Sequence, residues 1–84
     1  MKETTDELDL HGLTIDEAIP EVDKFLYQSF QEHIRCIWIV HGKGSGILRD
    51  AVRRYVSKHT LVKTCLTADR SHGGNGATQV ELID

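Results

Sequence analysis

Cys36-Ile37-Trp38-Ile39-Val40-His41-Gly42-Lys43-Gly44-Ser45-Gly46 is the stretch on which the fold turns. Five consecutive apolar residues suit a central strand, more shielded on both faces than its neighbours. The run stops at His-Gly, passes through a glycine-rich loop over 42–46, and leads into a helix from about Ile47 to Lys58. In that helix Leu48, Ala51, Val52, Tyr55 and Val56 form one apolar face. The same order of events occurs upstream. Leu8-Asp9-Leu10-His11-Gly12 closes a strand expected at Glu7–Leu10, and Thr14-Ile15-Asp16-Glu17 then reads as a capping box opening a second amphipathic helix. A strand that ends at His-Gly and feeds a helix places an imidazole beside free backbone N–H groups. This is the end of a parallel sheet where ligands bind. Two helix N-termini there, with their positive dipole ends, favour a phosphate.

Outward from these units, the first helix carries Ile15, Ala18, Ile19, Val22, Phe25, Leu26 and Phe30 on one face. Pro20 lies beyond its first turn, where proline removes a backbone bond and crowds the carbonyl of Asp16, so a bend or a frayed first turn is expected. Strands follow at Val62–Thr67 and Thr78–Ile83, the latter alternating Val80 and Leu82 with Gln79 and Glu81. Glycine density makes 68–76 a loop. The order βαβαββ, with right-handed crossovers, gives an α/β (α+β) two-layer sandwich: a four-stranded mixed sheet with both helices on one face. The other sheet face is then partly open. Trp38 is either packed core or a stacking surface there.

At 84 residues the chain is expected to form a single domain over 1–84, its core beginning near residue 7. No apolar run is long enough to span a bilayer, and the polar, acidic start does not read as a signal peptide; the location expected is cytoplasmic, with no membrane partner. Net charge is −3, which alone argues against a polyanion partner, but the distribution is uneven. Residues 1–23 hold eight acids and one lysine, whereas 35–70 hold eight bases and two acids. The basic stretch can attract a polyanion locally, or it can be a solvated, charge-balanced surface. Cys36 and Cys65 form no Cys-x-x-Cys, so neither a zinc knuckle nor a redox pair is indicated, and both read as reduced core residues.

The candidate chemistry follows from spacing. His11 and His41 end neighbouring parallel strands and could share general acid and base duties, since an imidazole titrates near neutral pH. The plainer reading is a hydrogen-bonded structural histidine at each strand end. Asp9, two residues before His11, could orient an imidazole or hold a divalent metal ion, magnesium or manganese, through its carboxylate. Gly42, Lys43, Gly44, Ser45 and Gly46 match neither Gly-x4-Gly-Lys-Ser/Thr nor Gly-x-Gly-x-x-Gly, so no nucleotide cofactor is expected. The loop reads as an anion site or, more plainly, a tight turn. Arg49 lies in the first turn of the following helix, near enough to assist. Arg53, Arg54 and Lys58 would carry a polyanion track away from the site, and Arg70 and His72, in the late glycine loop, could close over it.

Leu8-Asp9-Leu10-His11-Gly12, His41-Gly42-Lys43-Gly44-Ser45-Gly46, and Gly73-Gly74-Asn75-Gly76-Ala77-Thr78 with Val80-Glu81-Leu82 closely resemble the three motifs of the Smr (small MutS-related) domain. The resemblance covers Leu8 to Ile83. It implies a fold like the C-terminal domain of translation initiation factor three, with strand order 1-2-4-3 and the fourth strand antiparallel. Cys36 and Cys65 would then lie two strand spacings apart, about 9–10 Å, too far for a disulfide. Family members occur at the C-terminus of bacterial MutS paralogues implicated in suppressing recombination and in ribosome rescue, alone, and in eukaryotic fusions. They are described as nucleases that nick DNA or cut RNA. The family's Leu-Asp-x-His falls on Leu8, Asp9 and His11, and its His-Gly-x-Gly on His41, Gly42 and Gly44. Pro20 departs from the pattern without touching the site. The resemblance implies a nucleic-acid endonuclease of low sequence specificity, or a non-catalytic module that binds nucleic acid or the ribosome on behalf of a larger MutS-type protein.

Overall fold

The structure, a computed structural model, describes residues 6–83. Strand β1 (Glu7–Asp9) is followed by helix α1 (Ile15–Gln31), strand β2 (Cys36–Val40), helix α2 (Ile47–Ser57), strand β3 (Val62–Thr67) and strand β4 (Ala77–Leu82). The strands form one sheet in the order β1-β2-β4-β3; β1 and β2 are parallel, and β4 is antiparallel to both β2 and β3. This is the expected two-layer sandwich, with the strand order that the resemblance implied.

The periodicities explain the layers. In β2, Ile37 and Ile39 are fully buried, as are Val80 and, nearly, Leu82 of β4. These meet Ala18, Val22, Phe25 and Leu26 of α1 and Val52 and Val56 of α2 in one core. Each fully buried Leu, Ile or Val contributes about 1.5–3 kcal/mol of transfer free energy. The alternate residues of β2, Cys36, Trp38 and Val40, face the open side and are half-buried, so this central strand is sealed on one face only. Cys36 pairs across from Glu81, and Cys65 from Val80, so the two thiols lie on opposite faces of the sheet, separated by β4. Both are free.

Several boundaries differ from the sequence reading. The ladder of β1 ends at Asp9, although the Leu10 N–H still donates to the Val40 carbonyl at 2.6 Å. The first turn of α1 is not frayed: the Thr14 hydroxyl accepts from the Glu17 N–H, the Glu17 carboxylate accepts from the Thr14 N–H, and the helix runs on through Pro20. Two reciprocal cap bonds outweigh the single backbone bond that proline removes. The late glycine segment is more ordered than glycine density suggests. It folds into two 3-10 turns, Arg70–His72 and Gly74–Gly76. It also lays the His72 ring flat on Trp38, with centroids 4.0 Å apart and planes within 5°. Trp38 is therefore a capped side chain on the open face, neither central core nor bare platform.

Candidate functional site

Topology brings three connections to one rim of the sheet. The parallel strands β1 and β2 both end there. Val40 pairs with Ala77 at the start of β4, and Thr67 at the end of β3 pairs with Thr78. The turn after β1, the 42–46 loop and the 68–76 segment thus converge. They are stitched together by the Gly76 carbonyl, which accepts the N–H groups of both His41 and Gly42 at 2.9 Å. A Cβ at Gly76 would sit 3.4 Å from the Lys43 side chain and 3.6 Å from the Gly42 carbonyl carbon, in ordinary van der Waals contact, so the two loops pack closely here.

The two helix N-termini at this rim are not equivalent. That of α1 is closed by its capping box. That of α2 begins at Gly46, which adopts a left-handed conformation (φ 87°) and offers no side-chain cap; the Ser45 hydroxyl lies 3.5 Å from the Ile47 N–H, at the limit of a hydrogen bond. The first amides of a helix have no partner within it. A cavity of about 260 Å³ opens at this uncapped end, lined by His41, Gly42, Lys43, Ser45 and Gly46, the start of α2 as far as Arg49, and Leu13 to Ile15 across the gap. The Arg49 guanidinium packs against Gly46, pairing at 3.1 Å with Asp50. Uncapped amides, a dipole end, Lys43 and Arg49 make this cavity suited to a phosphate.

Of the two readings the sequence offered for His41, acid–base group or hydrogen-bonded strand-end histidine, its surroundings have the features of the second. It is 5% exposed, and both ring nitrogens are engaged. A carbonyl can only accept, so the Nδ1–H donates to the Gly42 carbonyl at 3.0 Å, and Nε2 accepts from the Thr78 hydroxyl at 2.8 Å. The Thr78 oxygen in turn accepts from Arg53 Nε at 3.0 Å, and Arg53 also donates to the Thr67 hydroxyl at 3.0 Å. Burial, and then the nearby charges of Arg53 and Arg49, push the imidazole below its ordinary value, against the pull of the Gly42 carbonyl. His41 is therefore neutral and pins the glycine loop to β4.

His11 is exposed on the turn after β1, and it is not among the residues lining the cavity. Asp9 accepts the His11 backbone N–H at 2.9 Å, so its carboxylate holds the turn through the main chain. Among the described residues no three His, Cys, Asp or Glu side chains converge to hold a metal ion. Asp9 is a single carboxylate already engaged by the turn. One carboxylate makes no protein cage for a divalent ion, and an ion held here would draw its other ligands from water and a substrate phosphate. Arg53 points into the Thr78–Thr67 network. Arg54 lines a separate groove between the helices, and Arg70 is exposed on the first 3-10 turn of the same rim. The structure thus groups the 42–46 loop, His41 and Arg49, leaves His11 and Asp9 on the turn after β1 outside the cavity lining, and sends Arg54 elsewhere.

Sequence reasoning assigned no role to Thr78 or Thr67. One signal was present: Thr78 is in phase with Val80 and Leu82, and a polar residue at a core-facing position requires a partner. Also missed were two further networks, one local and one joining distant residues. Asp69 accepts from the Ser71 hydroxyl at 2.8 Å and pairs with His72 Nδ1 at 2.7 Å, and both contacts hold its carboxyl below the usual range. On the helix layer, the Tyr55 hydroxyl donates to Asp23 at 2.6 Å and His59 Nε2 lies 3.0 Å from the same oxygen, while His59 Nδ1 accepts the Leu61 N–H. These contacts lower the Asp23 carboxyl and push the Tyr55 phenol up to about 12.

Comparison with known proteins agrees with this fold. The Smr domain profile matches residues 8–83. Endonuclease MutS2 of Caldicellulosiruptor saccharolyticus is 42% identical over 77 residues, 92% of this chain, and the chain spans about a tenth of that protein's length. The crystal structure of the Smr domain of Thermus thermophilus MutS2 superposes with a TM-score of 0.91 at 36% identity, covering 95% of this chain and 100% of that one. YdaL, a stand-alone small MutS-related protein from Escherichia coli, gives a TM-score of 0.91 at 30% identity, covering 98% of this chain and 67% of that one. The chain belongs to the Smr domain family.

Proposed function

We propose that this chain is a nucleic-acid endonuclease domain of low sequence specificity, working in the cytoplasm on DNA or RNA as part of a larger MutS-type protein. The observation that carries the reading is the uncapped start of α2, opening on a cavity walled by the glycine loop, Lys43 and Arg49. A phosphodiester seated there would have its developing negative charge met by fixed amides and cations. His11 takes the proton of the attacking oxygen, a water on DNA or the neighbouring 2′-hydroxyl on RNA, or delivers one to the leaving oxygen. Asp9 fixes the turn that presents His11, and His41 positions the loop from beneath. The family relationship supports the same chemistry, since the MutS2 relatives carry the name endonuclease.

Nicking of a supercoiled plasmid and cleavage of labelled RNA, with and without chelator, test this reading. His11→Ala should abolish cleavage without changing the thermal midpoint, whereas His41→Ala should lower both. Equal residual cleavage by wild type and both variants would reject catalysis by this chain.

The full engagement of both His41 nitrogens favours a second reading, a module that holds nucleic acid or the ribosome for the rest of a MutS-type protein without cutting it. It predicts salt-dependent binding, weakened by Lys43→Ala and Arg70→Ala, with no strand scission under any condition.

A further inference from the structure

The site at the rim absorbs neither Arg54 nor Tyr55, Lys58 and His59, yet these residues line one groove. It runs between α1 and α2, encloses about 560 Å³, and has an apolar floor of Ile15, Ile19 and Ala51 with Arg54, Tyr55 and Lys58 along the α2 side. Among the described residues no carboxylate lines it. Ile15, 38% exposed, also lines the cavity at the uncapped helix start, so groove and cavity share a wall.

We infer that this groove is the path of the nucleic-acid strand leaving the phosphate cavity, and that it takes a single strand with unpaired bases. The inference rests on the nucleic-acid reading above and adds the substrate class. The spacing supports a strand. Along α2, Arg54 lies about 10 Å and Lys58 about 16 Å from the helix start, at 1.5 Å per residue. The two cations are four residues apart and therefore share one face of the helix, so they can meet successive phosphates beyond the one held at Gly46.

The floor supports unpaired bases. A duplex keeps its bases stacked on each other and shows the protein mostly phosphate and sugar. An apolar, partly aromatic floor beside a row of cations is instead the arrangement that holds single strands. The Tyr55 hydroxyl is taken by Asp23, which leaves the ring as the surface offered to the groove. His59, also on the groove wall, is tilted against Tyr55 with centroids 5.7 Å apart and meets Tyr27 edge-on at 5.5 Å. Two rings, Tyr55 and His59, thus line the groove, and both engage Asp23, the acid beside them.

Fluorescence anisotropy on the 84-residue chain tests this, with a labelled single-stranded 12-mer, the matching 12-base-pair duplex, and a labelled acidic amphipathic peptide as a third probe. Wild type should bind the single strand more tightly than the duplex. Arg54→Glu with Lys58→Glu, two surface positions, should weaken single-strand binding at least tenfold. It should also flatten the dependence of log affinity on log salt by about 1.4, the loss of two contacts at about 0.7 each. Ile15→Ala should weaken binding severalfold with the salt slope unchanged, because it removes floor and no charge. Unaltered single-strand binding by the double variant, an equal or greater preference for duplex, or peptide binding that alone depends on Arg54 and Lys58 would each overturn the inference. Wild type that cleaves nucleic acid while any of these holds would sink the groove and spare the endonuclease. Wild type that neither binds nor cleaves either nucleic acid would sink both.

Discussion

Thr78→Val probes the buried network beneath the glycine loop at a residue that does not itself line the cavity. The change preserves shape, and Thr78 is fully buried. It removes one hydroxyl that serves two partners: it donates to His41 Nε2 at 2.8 Å and accepts from Arg53 Nε at 3.0 Å. A buried polar atom deprived of its partner costs about 1–3 kcal/mol. His41 Nε2 has no other partner and bears that cost in full. Arg53 is half-buried and keeps its bond to Thr67, so its loss is placed at the low end. The sum is about 2–4 kcal/mol, and 1 kcal/mol moves the midpoint of a domain this size by about 4–8 °C. Circular dichroism melting should therefore place Thr78→Val at least about 8 °C below wild type. Thr67→Val, which removes one exposed partner of Arg53, should fall only slightly. A Thr78→Val midpoint within about 3 °C of wild type would refute the claim that this network holds the rim together.

Three further outcomes are expected. His41 titrates lower in the folded chain than its ordinary 6.5, so the unfolded chain binds the extra proton first. Its contribution to stability is complete above about pH 6.5 and declines as pH falls through that value toward the depressed folded one. Urea midpoints across this window should lose part of their pH slope in His41→Gln, and an unchanged slope would contradict the burial argument. Asp23→Ala removes the acceptor that holds the Tyr55 proton, so the phenol should return from about 12 toward 10 in an ultraviolet titration of tyrosinate; a phenol that stays near 12 would mean that burial, not Asp23, sets it. Gly46→Ala places a Cβ at φ 87° and 2.6 Å from the Arg49 guanidinium. A left-handed non-glycine residue costs about 1–2 kcal/mol, so both stability and nucleic-acid affinity should drop, the latter measured by anisotropy; retained affinity would separate Arg49 from the phosphate cavity.

The apolar run Cys36–Val40, the capping box at Thr14 and the face of α1 were legible because periodicity and cap chemistry are local. A strand that buries Ile37 and Ile39, and a helix that buries Val22 and Leu26, need no knowledge of their partners to be recognised. The two His-Gly turns were legible for the same reason, and with them the rim at which a ligand would sit. Local pattern could not tell that the two turns differ. His11 and His41 occupy equivalent places in their units, yet one faces solvent and the other is sealed beneath β4. That difference arises because Thr78, 37 residues further along, and Arg53, one helix away, converge on His41 while nothing comparable covers His11.

Arg53, Arg54 and Lys58 illustrate the division within one helix. Their charge marks them all as solvent-seeking, and sequence alone treats them as one track. The helical turn sends Arg53 to two threonines on β3 and β4 and leaves Arg54 and Lys58 along the groove. By itself the sequence determined the elements, their order and the rim, since these follow from spacing of 2.0 and 3.6 residues along the chain. Tertiary structure alone decided which imidazole is buried and which cations are left along the groove, because each depends on groups brought together from distant parts of the chain.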